Sequence, residues 1–180
     1  MNINELFSSR ERERILRAII FRTGPLSVGA ISKELNVSKG MVSQYLDILR
    51  KDGILKRTKN KYKVLENTKT ASVRLLFNIG DFDAGVFGNF KFVKRAGLYG
   101  SSIKGSNTES SDIDVWILVD GAREQELAKL TRTLKAMDER IRPLYLTKEK
   151  LEALKREEQT FYYSIYFGTI DIWGDTNEQI

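Results

Sequence analysis

The sequence predicts a two-part protein of α/β (α+β) class. Residues 1–66 form a helical unit closed by a short basic hairpin, and residues 67–180 form a mixed sheet flanked by helices. Three observations lead there. Apolar residues recur at helical spacing through the first fifty positions, and two short, positively charged strands follow. After residue 67, short β-prone runs alternate with amphipathic stretches. The charge is also divided: residues 1–66 hold 14 Lys/Arg against 7 Asp/Glu, while residues 67–180 hold 16 against 17.

Taken in order, Ile15, Leu16, Ile19 and Ile20 make an apolar stripe, and Thr23-Gly24-Pro25 stops that helix. Leu26, Ile31 and Leu35 give the inward face of a second. Ser38 is placed to cap a third, with Val42, Tyr45, Leu46 and Leu49 buried and Gly53 ending it. Residues 54–64 then read as two short strands around a Lys59-Asn60 turn. Three helices and a basic hairpin resemble a winged helix-turn-helix domain. In that resemblance residues 30–49 supply the second and recognition helices. The resemblance implies contact with double-stranded DNA, with Lys39, Ser43, Gln44 and the more distal Asp47 toward the major groove. Lys56, Arg57, Lys59 and Lys61 would meet phosphates, adding affinity and salt dependence without reading bases. A protein-interaction role for the same domain is the bland alternative.

The polar run Leu65-Glu66-Asn67-Thr68-Lys69 marks the expected boundary. A helix with Val73, Leu76 and Phe77 on one side follows, broken by Gly80 to Gly85. A second short helix passes through Phe87, Phe90 and Phe92, whose rings are expected in the core. Arg95 to Tyr99 is the first strand of the sheet. Residues 122–138 form an amphipathic helix on Leu127, Leu130, Leu134 and Met137. Ile141 to Leu146 is a strand, a helix starts after Thr147, and helical character continues or restarts through the aromatic run 161–166. A last strand holds Asp171.

Residues 100–114 carry the chemistry: a small-residue turn, then Asp112 and Asp114 opening the apolar run 115–119. Side chains on a strand alternate with period two, so these carboxylates point one way and Ile113 and Val115 the other. Two adjacent carboxylates repel unless a cation lies between them. Oxygen ligands suit Mg²⁺ or Mn²⁺, and a chain without Cys or His offers zinc little. Gly100, Ser101 and Gly105 let backbone N–H groups approach phosphate oxygens.

The spacing of Gly100, Ser101, Gly105, Ser111, Asp112 and Asp114 resembles the signature of the DNA polymerase beta-like nucleotidyltransferases, in particular the small stand-alone ones. The one departure is Lys104, where those enzymes usually carry Arg; it keeps the charge and loses bidentate geometry. The resemblance implies transfer of a nucleoside monophosphate from an NTP, with ATP the expected donor, to an acceptor hydroxyl. It assigns the metal to Asp112 and Asp114, and the phosphates to Gly100, Ser101, Lys104, Gly105 and Ser111. It also asks for a third carboxylate from a neighbouring strand. Asp171 is the first choice and Asp175 the second, while Asp120 lies too far along its strand. Such enzymes commonly act with HEPN-type partner proteins, which makes one a candidate acceptor. The competing expectation is a nucleotide-sensing transcription regulator without turnover.

No apolar run approaches the length that spans a bilayer, the first residues lack the layout of a secretory signal, and there is no cysteine to oxidise. A cytoplasmic location is expected.

Overall fold

The computed structural model describes residues 2–174. These form two compact units, one of residues 2–77 with 105–109, the other of residues 78–104 with 110–174.

The first unit begins with α1 (Ile3–Leu6) and α2 (Arg10–Ile19), continues with α3 (Val28–Leu35) and α4 (Lys39–Lys51), and closes with the hairpin β1 (Leu55–Thr58) and β2 (Lys61–Val64). Each of the three longer helices starts at a serine. Ser9, Ser27 and Ser38 accept hydrogen bonds from the N–H groups of Arg12, Ala30 and Met41, satisfying donors that a helix start leaves unpaired. Asn36 ends α3 in the left-handed conformation, and Gly53, with φ +76°, lets the chain leave α4 for the hairpin. Ile15, Leu16, Ile19, Ile31, Val42, Tyr45, Leu46 and Leu49 are buried together, as their spacing predicts. Leu26 departs from its expected place on a helix: it precedes α3 and bridges Tyr62, tying the hairpin to the helices.

α5 runs Thr68–Asp81. Its first ten residues belong to the first unit, because Val73 and Phe77 join that core and Arg74 is buried with them. Leu76, expected inward, is exposed: it lies about 100° round the helix from Phe77, at the edge of the stripe that Val73 and Phe77 bury.

In the second unit a 3₁₀ turn (Ala84–Asn89) leads to β3 (Val93–Tyr99), α6 (Ser101–Lys104), β4 (Ile113–Val119), α7 (Glu124–Met137), β5 (Ile141–Leu146), α8 (Lys148–Glu157), α9 (Gln159–Phe167) and β6 (Thr169–Trp173). The sheet order is β5-β4-β3-β6, mixed as expected: β4 and β5 are parallel through the α7 crossover, and β3 is antiparallel to both β4 and β6. Pro143 is tolerated because β5 is an edge strand. Both faces are covered. Val115, Ile117 and Val119 pack with Leu130, Leu134 and Phe87, while Trp116 and Leu118 pack with Leu146, Leu151, Tyr162 and Ile165. Among the described residues no helix is long and apolar enough to cross a membrane.

Candidate active site

Asp114 is the second residue of β4, and Asp112 immediately precedes the strand. Period-two alternation places both on the face that carries Trp116 and Leu118 farther along. There the sheet is buried under α8 and α9, whereas Asp112 is exposed and Asp114 half-buried. The carboxylates therefore stand where the covering layer ends, open to a ligand at the mouth of the strand.

The turn before them is shaped to that carboxylate. Gly100 has φ +71°, and a Cβ added there would lie 2.6 Å from Oδ2 of Asp114. Any other residue would be both strained and in collision, so the chain brings bare backbone against the acid. α6 then starts at Ser101, and the carbonyl of Ser102 accepts a 2.7 Å hydrogen bond from the Asn78 amide.

Electrostatics mark the pair as well. Burial, and then the charge of Asp112, push the Asp114 carboxyl above its ordinary value, and Arg142 opposes them. Arg142 is a residue that sequence reasoning missed. It lies on β5 directly across from Asp114 in the parallel register, and its Nη2 is 3.0 Å from Oδ1 of Asp112. The available signal was its position as the second residue of a strand adjacent to β4, which becomes meaningful only once the register is known.

Asp171 stands elsewhere. β6 pairs with β3 and not with β4, and Asp171 is opposite Gly97, which is opposite Trp116. It shares the acids' face but is displaced along the sheet by a strand and a register step, and its carboxylate is engaged by Arg95. Among the described residues no three acids gather as a metal-binding group. Asp175 lies outside the described residues. Asp112 and Asp114, hard oxygen donors on one face with bare backbone against Asp114, fit one divalent cation; among the described residues no third carboxylate joins them.

Of the phosphate set, Gly100, Ser101, Lys104 and Ser111 belong to the second unit and Gly105 to the first. Gly105, with φ +63°, is pressed against the Ala71 backbone, where a Cβ would come within 2.1 Å of a carbonyl oxygen, and its own carbonyl accepts from Arg74. Close packing is thus one demand for glycine there. In the first unit, Lys39, Gln44, Lys56, Arg57, Lys59 and Lys61 are exposed and Ser43 is half-buried. Asp47 is held by Tyr62 Oη and Arg50 Nε, so its acceptor is engaged within the domain.

A capped three-helix unit with a basic hairpin, followed by a mixed sheet whose β4 opens on paired acids beside a glycine turn, defines a helix-turn-helix protein with a nucleotidyltransferase domain. The comparisons agree on both parts. Residues 10–57 match the family model described as bacterial regulatory protein, arsR family, and residues 86–167 match that of the nucleotidyltransferase domain. Comparison with the curated proteins gave no match. A crystal structure of a Sulfolobus solfataricus protein described as a nucleotidyltransferase is similar over 62% of this chain and 90% of its own, at 13% identity and a TM-score of 0.37. That likeness is too slight to bear weight.

Proposed function

We propose that the chain is a Mg²⁺- or Mn²⁺-dependent nucleotidyltransferase that moves a nucleoside monophosphate from an NTP, ATP the expected donor, to an acceptor hydroxyl, and that its helix-turn-helix unit binds double-stranded DNA. The observation that carries the reading is the pair Asp112 and Asp114, aligned on one face, with Asp114 packed against Gly100 so closely that a side chain there is excluded.

In the reaction the acceptor oxygen bonds to the α-phosphorus, the bond from that phosphorus to the α,β-bridging oxygen breaks, pyrophosphate leaves with that electron pair, and the hydroxyl proton passes to solvent. A divalent cation, when bound, offsets the negative charge of the phosphates. Asp112 and Asp114 would hold that cation. Gly100 keeps the turn open, Ser101 and the turn amides would bind outer phosphates, and Lys104 and Ser111 flank them. In this reading Asp171 orients Arg95 across the sheet, because the ion pair already occupies its carboxylate. A partner protein, of the HEPN type by resemblance, is the proposed source of the acceptor.

One observation favours a second reading, a nucleotide sensor without turnover: Arg142 lies beside the acid pair where a further ligand could have stood, and Asp171 is committed to Arg95. Incubation with α-labelled ATP, GTP, CTP or UTP and Mg²⁺, with and without lysate from the source organism, separates the two. Label transferred by the unmodified chain and not by an Asp112→Ala, Asp114→Ala variant establishes the enzyme and names the acceptor. Saturable Mg²⁺-NTP binding without transfer establishes the sensor.

A further inference from the structure

We propose that Arg142 is the built-in counter-ion of the acid pair and sets the affinity of the site for its divalent cation. The inference rests on the reading of Asp112 and Asp114 as cation ligands and adds a residue to which no role in the site had been given.

Three observations support it. The parallel register puts Arg142 directly across from Asp114, so the two share a face by backbone geometry alone. The guanidinium is anchored: Nη1 donates to the carbonyls of Glu139 at 2.7 Å and Ile141 at 3.3 Å, and Nη2 is 3.0 Å from Oδ1 of Asp112. And among the described residues no third acid completes a metal-binding group beside the pair.

A protein that places two carboxylates side by side must neutralise them when no metal is present. Here a fixed cation does so from the edge strand. The Arg142 and Asp112 side chains are both about half exposed, at 48% and 53%, so their attraction is screened and a divalent ion can displace it. Charge bound in this way is an affinity control: the incoming cation must share the carboxylates with a guanidinium that carries the same sign. The arrangement favours a cation that arrives with a triphosphate, whose negative oxygens can take over the guanidinium, above a free cation.

The test is Mn²⁺ binding, followed by electron paramagnetic resonance, to the full chain and to Arg142→Gln, Arg142→Lys and Asp112→Asn, Asp114→Asn variants. The expected result is about tenfold tighter Mn²⁺ binding by Arg142→Gln than by the unmodified chain, narrowing as NaCl is raised, with Arg142→Lys in between. Equal or weaker binding by Arg142→Gln, with binding still abolished in the double Asn variant, overturns the role of Arg142 and leaves the acid site standing. Absence of Mn²⁺ binding in both the unmodified chain and Arg142→Gln overturns the inference together with the reading beneath it.

Discussion

At the scale of single residues, Asp114 shows how the site is built against stability. Its carboxyl is partly buried beside Asp112, and both effects disfavour the charged form, so its folded-state value lies above the ordinary 3.8. A carboxylate with a raised value is protonated more readily in the folded chain, so its charge opposes folding at neutral pH. That opposition fades as pH falls through the folded-state value and is gone below the ordinary one, where both states are protonated. Asp114→Asn should therefore melt higher than the unmodified chain at neutral pH, by about 1–3 °C, with the difference closing in acid. Thermal unfolding across pH measures this, and a lower melting temperature at neutral pH would contradict the assignment of strain to this carboxylate. Gly97 makes a related point about packing. A Cβ there would come 2.4 Å from the Trp116 indole nitrogen, so the ring that covers the middle of the sheet requires glycine on the next strand.

At the scale of elements, the first unit was largely legible because its signals are local. The Ser38 cap, the helical spacing of the core residues and the Lys59-Asn60 turn all act within a few positions, and Lys59 takes the left-handed conformation that the two-residue turn demands. The same hairpin leaves Lys56, Arg57, Lys59 and Lys61 exposed. If these meet DNA phosphates, a Lys56→Glu, Lys59→Glu, Lys61→Glu variant should bind duplex DNA more weakly. Its plot of log affinity against log salt should also be shallower by about 2–3 units, near 0.9 for each phosphate that the variant leaves unneutralised. Fluorescence anisotropy over a salt series gives both numbers; an unchanged slope would remove the hairpin from the DNA interface. In the second unit the strands and longer helices were readable, while the short helix expected through Phe92 is a 3₁₀ turn ending at Asn89 and residues 101–104 close into a helix where a turn was expected; which elements neighbour one another was not readable. Asp171 was expected beside the acid pair because the resemblance asks for a third carboxylate from a neighbouring strand, yet β3 lies between β4 and β6. Strand order is a long-range property, and no periodicity reports it.

At the scale of the whole molecule, the boundary expected at residues 66 and 67 falls at a change of composition, while the first core draws on residues beyond it. Val73, Arg74 and Phe77 from α5 are buried there, and the Phe77 ring meets that of Phe7 edge-on at 6.1 Å. Arg74 is fully buried, donating to the carbonyl of Ile20 and to both carboxylate oxygens of Glu66. A buried guanidinium is tolerated only with this degree of hydrogen bonding. Burying side chains such as Val73 and Phe77 contributes roughly 1.5–3 kcal/mol each, so a fragment of residues 1–81 should unfold at clearly higher temperature than one of residues 1–66. Equal melting temperatures would place the folding boundary at 66.

The sequence by itself determined the two-part organisation, the longer helices with the Ser38 cap, the basic hairpin, and the acid pair with its glycine turn. All of these are written in spacings of two to fifteen residues, where backbone geometry alone fixes which side chains share a face. The tertiary structure decided which strand neighbours which. It set Arg142 across from Asp114, committed Asp171 to Arg95 on the far side of β3, and drew Arg74 into the first core. Those outcomes depend on the pairing of segments dozens of residues apart, which sheet closure and burial select and which no local pattern encodes.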